Sequence, residues 1–149
     1  MGEEFTMRIS YRLPKDETIK KILTESRTIA VVGLSKDPLR PSNEVATYLK
    51  EHGYRIIPVN PTVDEVLGEK SYPSLDDVPE EIDIVDIFRR SEDVPPVVEA
   101  AIRKKAKVVW MQEGIVNHAA AERAMENGLA VVMDRCTKKE HMRLISHER

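Results

Sequence analysis

The chain has 149 residues, with 23 Lys and Arg against 26 Asp and Glu, a formal net charge of −3 and 41% hydrophobic residues. That is the size of one domain of about 100–200 residues around a single core, and the composition excludes both a disordered chain and the global basic excess of a dedicated nucleic-acid binder. No apolar stretch approaches the roughly 20 residues of a membrane span, and MGEEFTMRIS at the start lacks the apolar region of a signal peptide.

In chain order, Ile19, Ile22 and Leu23 fall at helical spacing behind Asp16 and Glu17, which predicts a short amphipathic helix over 15–26. Ile29 to Val32 is a β-branched run ending at Gly33, the pattern of a buried strand. Ser42 is expected to cap a helix that carries Val45, Ala46 and Leu49 inward and stops at Gly53. Tyr54 to Val59 predicts the second strand, closed by Asn60-Pro61, and residues 62–81 read as loops around a turn of helix. Ile82 to Phe88 predicts a third strand, and Asp93 with Pro95-Pro96 opens the next helix. Lys107 to Met111 is a fourth strand, Asn117 caps a helix ending at Gly128, and Leu129 to Met133 is the last strand. Thr137 with Glu140 gives a capping-box signal for a C-terminal helix over 137–147.

Strands alternate with helices and are apolar on both faces, which requires helical crossovers covering a parallel sheet on both sides. The expectation is one domain, 1–149: a three-layer α/β fold of Rossmann type, with a mainly parallel sheet of about five strands. Its core spans 28–136, and the terminal helices pack on it. Cys136, the only cysteine, leaves no intramolecular disulfide and fits a cytoplasmic location. The high charge density and the single glutamine, Gln112, lean towards a heat-adapted source.

Ligands of open parallel sheets bind beyond the carboxyl ends of the strands. The first such loop places Gly33 before Lys36, Arg40 and the Ser42 helix start, chemistry suited to phosphate, although an ordinary βα turn with solvated cations accounts for the same residues. The loop is neither G-x-G-x-x-G nor a P-loop, and the second strand ends in Asn60 instead of an acidic residue, so NAD and ATP both lose ground. Arg89-Arg90 follows the third strand directly, where an Arg pair can grip phosphate or carboxylate, although two solvated surface arginines account for the same residues. His52, His118, His141 and His147 have no metal-ligand spacing, and no metal site is expected. Asp83 and Asp86 lie on opposite faces of their strand, so strand-end hydrogen bonding to the backbone is expected of them, not paired acid/base work. Cys136 reads either as a small buried hydrophobe or as a thiol facing the ligand, with Arg135 favouring the thiolate.

The segments VVGLSKDPLRPSNEV, YRIIPVNP, VLGEKSYPSLDDVP, IDIVDIFRR, VVWMQEGIVN and VMDRC, taken together, resemble the small single-domain coenzyme A-binding proteins of bacteria and archaea. These are similar to the CoA-binding domain at the N-terminus of the succinyl-CoA synthetase α subunit. The resemblance runs from about Thr28 to Cys136. It implies CoA lying across the C-terminal sheet edge, with Gly33, Leu34 and Ser35 at the first phosphate turn and Lys36, Arg40 and Ser42 meeting phosphates. It further implies Pro58, Val59, Asn60 and Pro61 beside the adenosine, Phe88, Arg89 and Val94 bordering the pantetheine arm, and Gln112, Glu113 and Gly114 near the thiol end.

The synthetases also use a phosphoryl-carrying histidine in a second domain. This chain ends about thirteen residues after Cys136, so acyl-CoA synthesis by it alone is not expected. The leading expectation is a module that binds CoA or acyl-CoA without a catalytic centre, with no nucleic-acid or membrane partner, while a protein partner or homo-oligomer stays open. A redox role through a mixed CoA–Cys136 disulfide is one alternative. Another is an acyl-CoA-linked or NAD-linked enzyme, for which Glu113 is the sole candidate base. The basic residues Lys138, Lys139, Arg143 and Arg149 read as a helix end complementing the macrodipole.

Overall fold

The computed structural model describes residues 10–145. Most of the MGEEFTMRIS segment, His147, Arg149 and the last residues of the expected 137–147 helix lie outside them. Helix α1 (Asp16–Glu25) precedes strand β1 (Thr28–Val32), helix α2 (Pro41–Glu51) and strand β2 (Arg55–Val59). After β5 (Ile84–Ile87) come α3 (Val94–Arg103), β6 (Val108–Met111), α4 (His118–Glu126), β7 (Ala130–Val132) and α5 (Thr137–Leu144). Between β2 and β5 the expected loops contain a two-residue hairpin, β3 (Glu65–Val66) with β4 (Glu69–Lys70), and a 3-10 turn at Leu75–Asp77. Two-residue strands carry too little periodicity to be read from sequence.

The sheet runs β2-β1-β5-β6-β7, parallel at every pairing, and so has the three-layer Rossmann-like architecture. Side chains alternate across it. Ile29 and Val31 pack with Ile19, Leu23, Val45 and Leu49 of α1 and α2, while Ala30 and Val32 pack with Val94, Val98, Ala121 and Ala124 of α3 and α4. Each buried Ile or Leu contributes about 1.5–3 kcal/mol. The chain order reverses between β1 and β5. The β1 connection runs outward to β2, the β5 connection runs the other way to β6, and a crevice opens between their loops.

Two expected caps are absent, for one reason. Ser42 and Thr137 stand inside the first turns of α2 and α5, with Arg40 and Cys136 at the capping positions. Each hydroxyl is used elsewhere: Ser42 Oγ accepts from the Ser35 N–H (2.9 Å), and Thr137 Oγ1 turns to buried Asp86. Asn117 does cap α4, accepting from the Ala120 N–H at 2.9 Å. Lys138 and Lys139 lie at the start of α5, where the macrodipole disfavours cations, and are held instead by Glu44 and Glu113. Asp83 accepts from the backbone N–H groups of Arg27 and Thr28, as expected for a strand-end carboxylate. Burial would raise its pKa, but these bonds and Lys107 outweigh that and hold it low.

Candidate functional site

A cleft of about 550 Å³ opens at the reversal point, within the roughly 300–1,000 Å³ of small-molecule sites. One wall is the loop from Gly33 to Pro41. It is organised by its own side chains: Ser35 Oγ accepts from the Asp37 N–H (3.0 Å), Asp37 Oδ1 from the Leu39 N–H (2.9 Å), and Asn43 Nδ2 donates to the Ser35 carbonyl (2.9 Å). Asn60 straps it to the end of β2, donating to the Leu34 carbonyl at 2.9 Å. Gly33 has φ +91°, and a Cβ there would stand 2.2 Å from the Phe88 carbonyl oxygen. The glycine is required by the end of β5 pressing on the loop, a reason independent of any ligand.

Eight of the residues expected from sequence line this cleft: Gly33, Ser35, Arg40, Ser42, Phe88, Gln112, Glu113 and Cys136. Lys36 faces a neighbouring pocket of about 650 Å³ with Asn43 and Thr62, and Val59 and Arg89 face one of about 280 Å³ with Ser74 and Asp76. Leu34, Pro58, Val59 and Val94 are buried, and Val94 belongs to the core. Pro61 is exposed outside all three pockets, and Gly114 donates its N–H to Asp134 Oδ1 at 2.7 Å. Pro41, Val45 and Ile115 line the cleft unanticipated. Val45 reads as an inward residue of its helix and Pro41 falls just before the expected Ser42 cap, whereas Ile115, directly after Gln112-Glu113-Gly114, was findable by extending that loop one residue.

Arg55, Arg90, Arg103, Arg123 and Arg143 are each held by carboxylates, so the expected Arg89-Arg90 grip is halved: Arg90 is tied to Asp93 at 2.9 Å. Lys36, Arg40 and Arg89 have no ion-pair or side-chain hydrogen-bond partner among the described residues; Arg40 lines the cleft with Gly33, Arg89 Nη1 lies 3.5 Å from where a Cβ at Gly33 would stand, and Lys36 lines the neighbouring pocket.

Beneath the far wall, Asp86 is fully buried and joined to two other side chains, not to the backbone as expected from sequence. Gln112 Nε2 donates to Asp86 Oδ1 (2.6 Å) and Thr137 Oγ1 (2.9 Å), and Thr137 Oγ1 lies 3.2 Å from Asp86 Oδ2. Burial pushes the Asp86 carboxyl up to about 7 against the lowering effect of both partners. Trp110 Nε1 donates to the Arg135 carbonyl (2.8 Å), fixing the segment that delivers half-buried Cys136 to the cleft. Burial pushes the Cys136 thiol up, and the negative charges of Asp86 and Glu113 add to this, outweighing the N–H groups at the start of α5. The activation by Arg135 expected from sequence is not found: its guanidinium turns to the Asp134 carbonyl at 2.7 Å. Glu113 is paired with Lys139 at 2.8 Å. Among the described residues, no group of three His, Cys, Asp or Glu side chains is placed to hold a metal, and no helix is long and apolar enough to cross a membrane.

The family model for the CoA binding domain matches residues 27–142. The chain belongs to this CoA-binding domain family. Within such relatives, it is 48% identical over 128 residues to the uncharacterized protein YneT of Bacillus subtilis, covering 86% of this chain and 95% of that one. It is 35% identical over 83 residues to an ADP-forming acetate–CoA ligase of Archaeoglobus fulgidus, covering 54% of this chain but only 12% of the ligase. A hypothetical protein of Pyrococcus horikoshii has the same fold, with a TM-score of 0.88 and 45% identity over 93% of this chain and 99% of that one. The CoA-binding domain thus occurs both at this size and as a small part of much longer ligases.

Proposed function

We propose that the chain binds coenzyme A or an acyl-CoA along the C-terminal sheet edge and acts as a binding module without a catalytic centre. The observation that carries this reading is the set of unpartnered cations on the loops at the C-terminal sheet edge: Arg40 in the cleft with Gly33, Arg89 beside Gly33, and Lys36 in the neighbouring pocket. CoA brings three phosphates to such a set, and charge-assisted bonds to phosphate are the strong ones. The pantetheine arm then crosses Phe88 and Ile115 towards Gln112, Glu113 and Cys136. Family membership supports the ligand class, as does the CoA in the names of the archaeal ligases.

Isothermal titration of CoA into the protein tests the reading. Arg40→Ala is expected to weaken binding by about 10- to 100-fold, the loss of one charge-assisted contact of about 1.5–3 kcal/mol. Unchanged affinity would remove Arg40 from the site.

The place of Cys136 in the same wall favours one covalent extension. Its thiolate attacks a sulfur of CoA disulfide, the S–S bond breaks, a Cys136–CoA disulfide forms, and one CoA thiolate departs and takes up a proton. Because burial holds the Cys136 thiol above its ordinary pKa, the thiolate is scarce at neutral pH. The adduct rate should therefore rise about tenfold per pH unit below that pKa. Intact-mass spectrometry after incubation with CoA disulfide should show the adduct and this dependence, and no CoA-sized mass gain at pH 9 would discard the extension.

A further inference from the structure

Gln112 lines the cleft, yet both hydrogens of its amide nitrogen point away from it, one to Asp86 Oδ1 and one to Thr137 Oγ1. The opposite orientation would set the amide oxygen against Thr137 Oγ1, whose one hydrogen already goes to Asp86 Oδ2. No described group donates to Gln112 Oε1, and no buried side-chain polar atom lacks a partner, so Oε1 is accessible, and the cleft is where it emerges. β6, which ends at Met111 just before Gln112, lies two strand spacings, about 9–10 Å, from β1 and the cations beside Gly33.

We infer that Gln112, locked by Asp86 and Thr137, is a specificity-determining acceptor that selects the free thiol of CoA over its acyl thioesters. The inference rests on the CoA reading above. A ligand group seated against Oε1 must donate. A thiol S–H does so, weakly, whereas a thioester brings only a carbonyl oxygen, leaving two acceptors facing each other at a side chain only 4% exposed. Asp86 and Thr137 are positioning residues here. They act through the amide and do not themselves reach the ligand.

Calorimetric titration of the whole chain with CoA, ethyl-CoA and acetyl-CoA tests this. Ethyl-CoA is a thioether close to acetyl-CoA in size, with neither donor nor carbonyl. The expected order is CoA tightest, ethyl-CoA between, and acetyl-CoA weakest, with about tenfold between the extremes. Gln112→Met is expected to bring the CoA to acetyl-CoA ratio within about twofold of unity. A purely structural role of Gln112 would weaken both ligands together and leave that ratio unmoved. Equal binding of CoA and acetyl-CoA by the wild-type chain, ethyl-CoA binding no better than acetyl-CoA, or an unchanged ratio in Gln112→Met would each overturn the selectivity while leaving CoA binding in place. The ethyl-CoA comparison decides the matter even where the variant does not fold. Failure of all three ligands to bind overturns the CoA reading and this inference with it.

Discussion

Replacing Gly33 by alanine is expected to cost about 3 kcal/mol or more and to lower the melting temperature by about 6–12 °C. Two independent penalties combine. At φ +91° an L side chain is strained, and its Cβ would sit 2.2 Å from the Phe88 carbonyl oxygen, a backbone atom that moves only if the end of β5 moves. Gly33 also donates its N–H to the Val59 carbonyl at 2.9 Å, so shifting the loop breaks the link between the ends of β1 and β2. Gly128→Ala is the matched control. With φ +84° and nothing within 4 Å of its Cβ, it carries the conformational strain alone, about 1 kcal/mol. Scanning calorimetry of the two variants separates the terms, and equal shifts would show that the close approach of Phe88 has no energetic weight.

Asp86→Asn is expected to become more stabilising, relative to wild type, as pH rises. The folded carboxyl titrates near 7, above the ordinary unfolded value near 3.9. Between those values the folded chain binds a proton that the unfolded chain has released. Stability therefore falls as pH rises from about 4 to about 7 and is flat beyond. A shift of about three pH units corresponds to about 4 kcal/mol across that window. Asparagine keeps an oxygen for the Gln112 amide and cannot ionise, so its curve lacks this decline. Urea unfolding at pH 4, 6 and 8 measures the gap between the two proteins. A constant gap would mean that the Asp86 carboxyl is not perturbed.

The periodicities carried the fold because each strand is an unbroken apolar run and each crossover helix has a continuous inner face. Ile29 to Val32 and Val94 with Val98 and Ala101 are buried as that pattern requires. Segment 62–81 defeated it because a hairpin with two residues per strand has no period. In the site, loops after strands could be located from sequence, but not all of the partners that decide their chemistry. The pairing of Arg90 with Asp93, three residues on, was within local reach of the sequence, whereas nothing local told that Arg89 would stay without a carboxylate. Ser42 and Thr137 carried genuine capping signals, which long-range partners seven and fifty-one residues away overrode. Asp86 had one legible sign, an acid set between Val85 and Ile87 in the apolar middle of a strand, whose partner Gln112 only the pairing of β5 with β6 could supply.

Read as a CoA site, the sheet edge at the chain reversal meets the ligand's phosphates with Arg40 of the cleft and with Lys36 and Arg89 on its flanks, cations without a carboxylate partner. Parallel calorimetric titrations of CoA and NAD into the wild-type chain test this reading most directly, since Asn60 stands where a nicotinamide-binding fold would carry an acidic residue. Saturable binding of one CoA per chain is expected, at least about tenfold tighter than NAD through the additional phosphate and pantetheine contacts. Equal affinity for the two, or no binding of CoA, would contradict it.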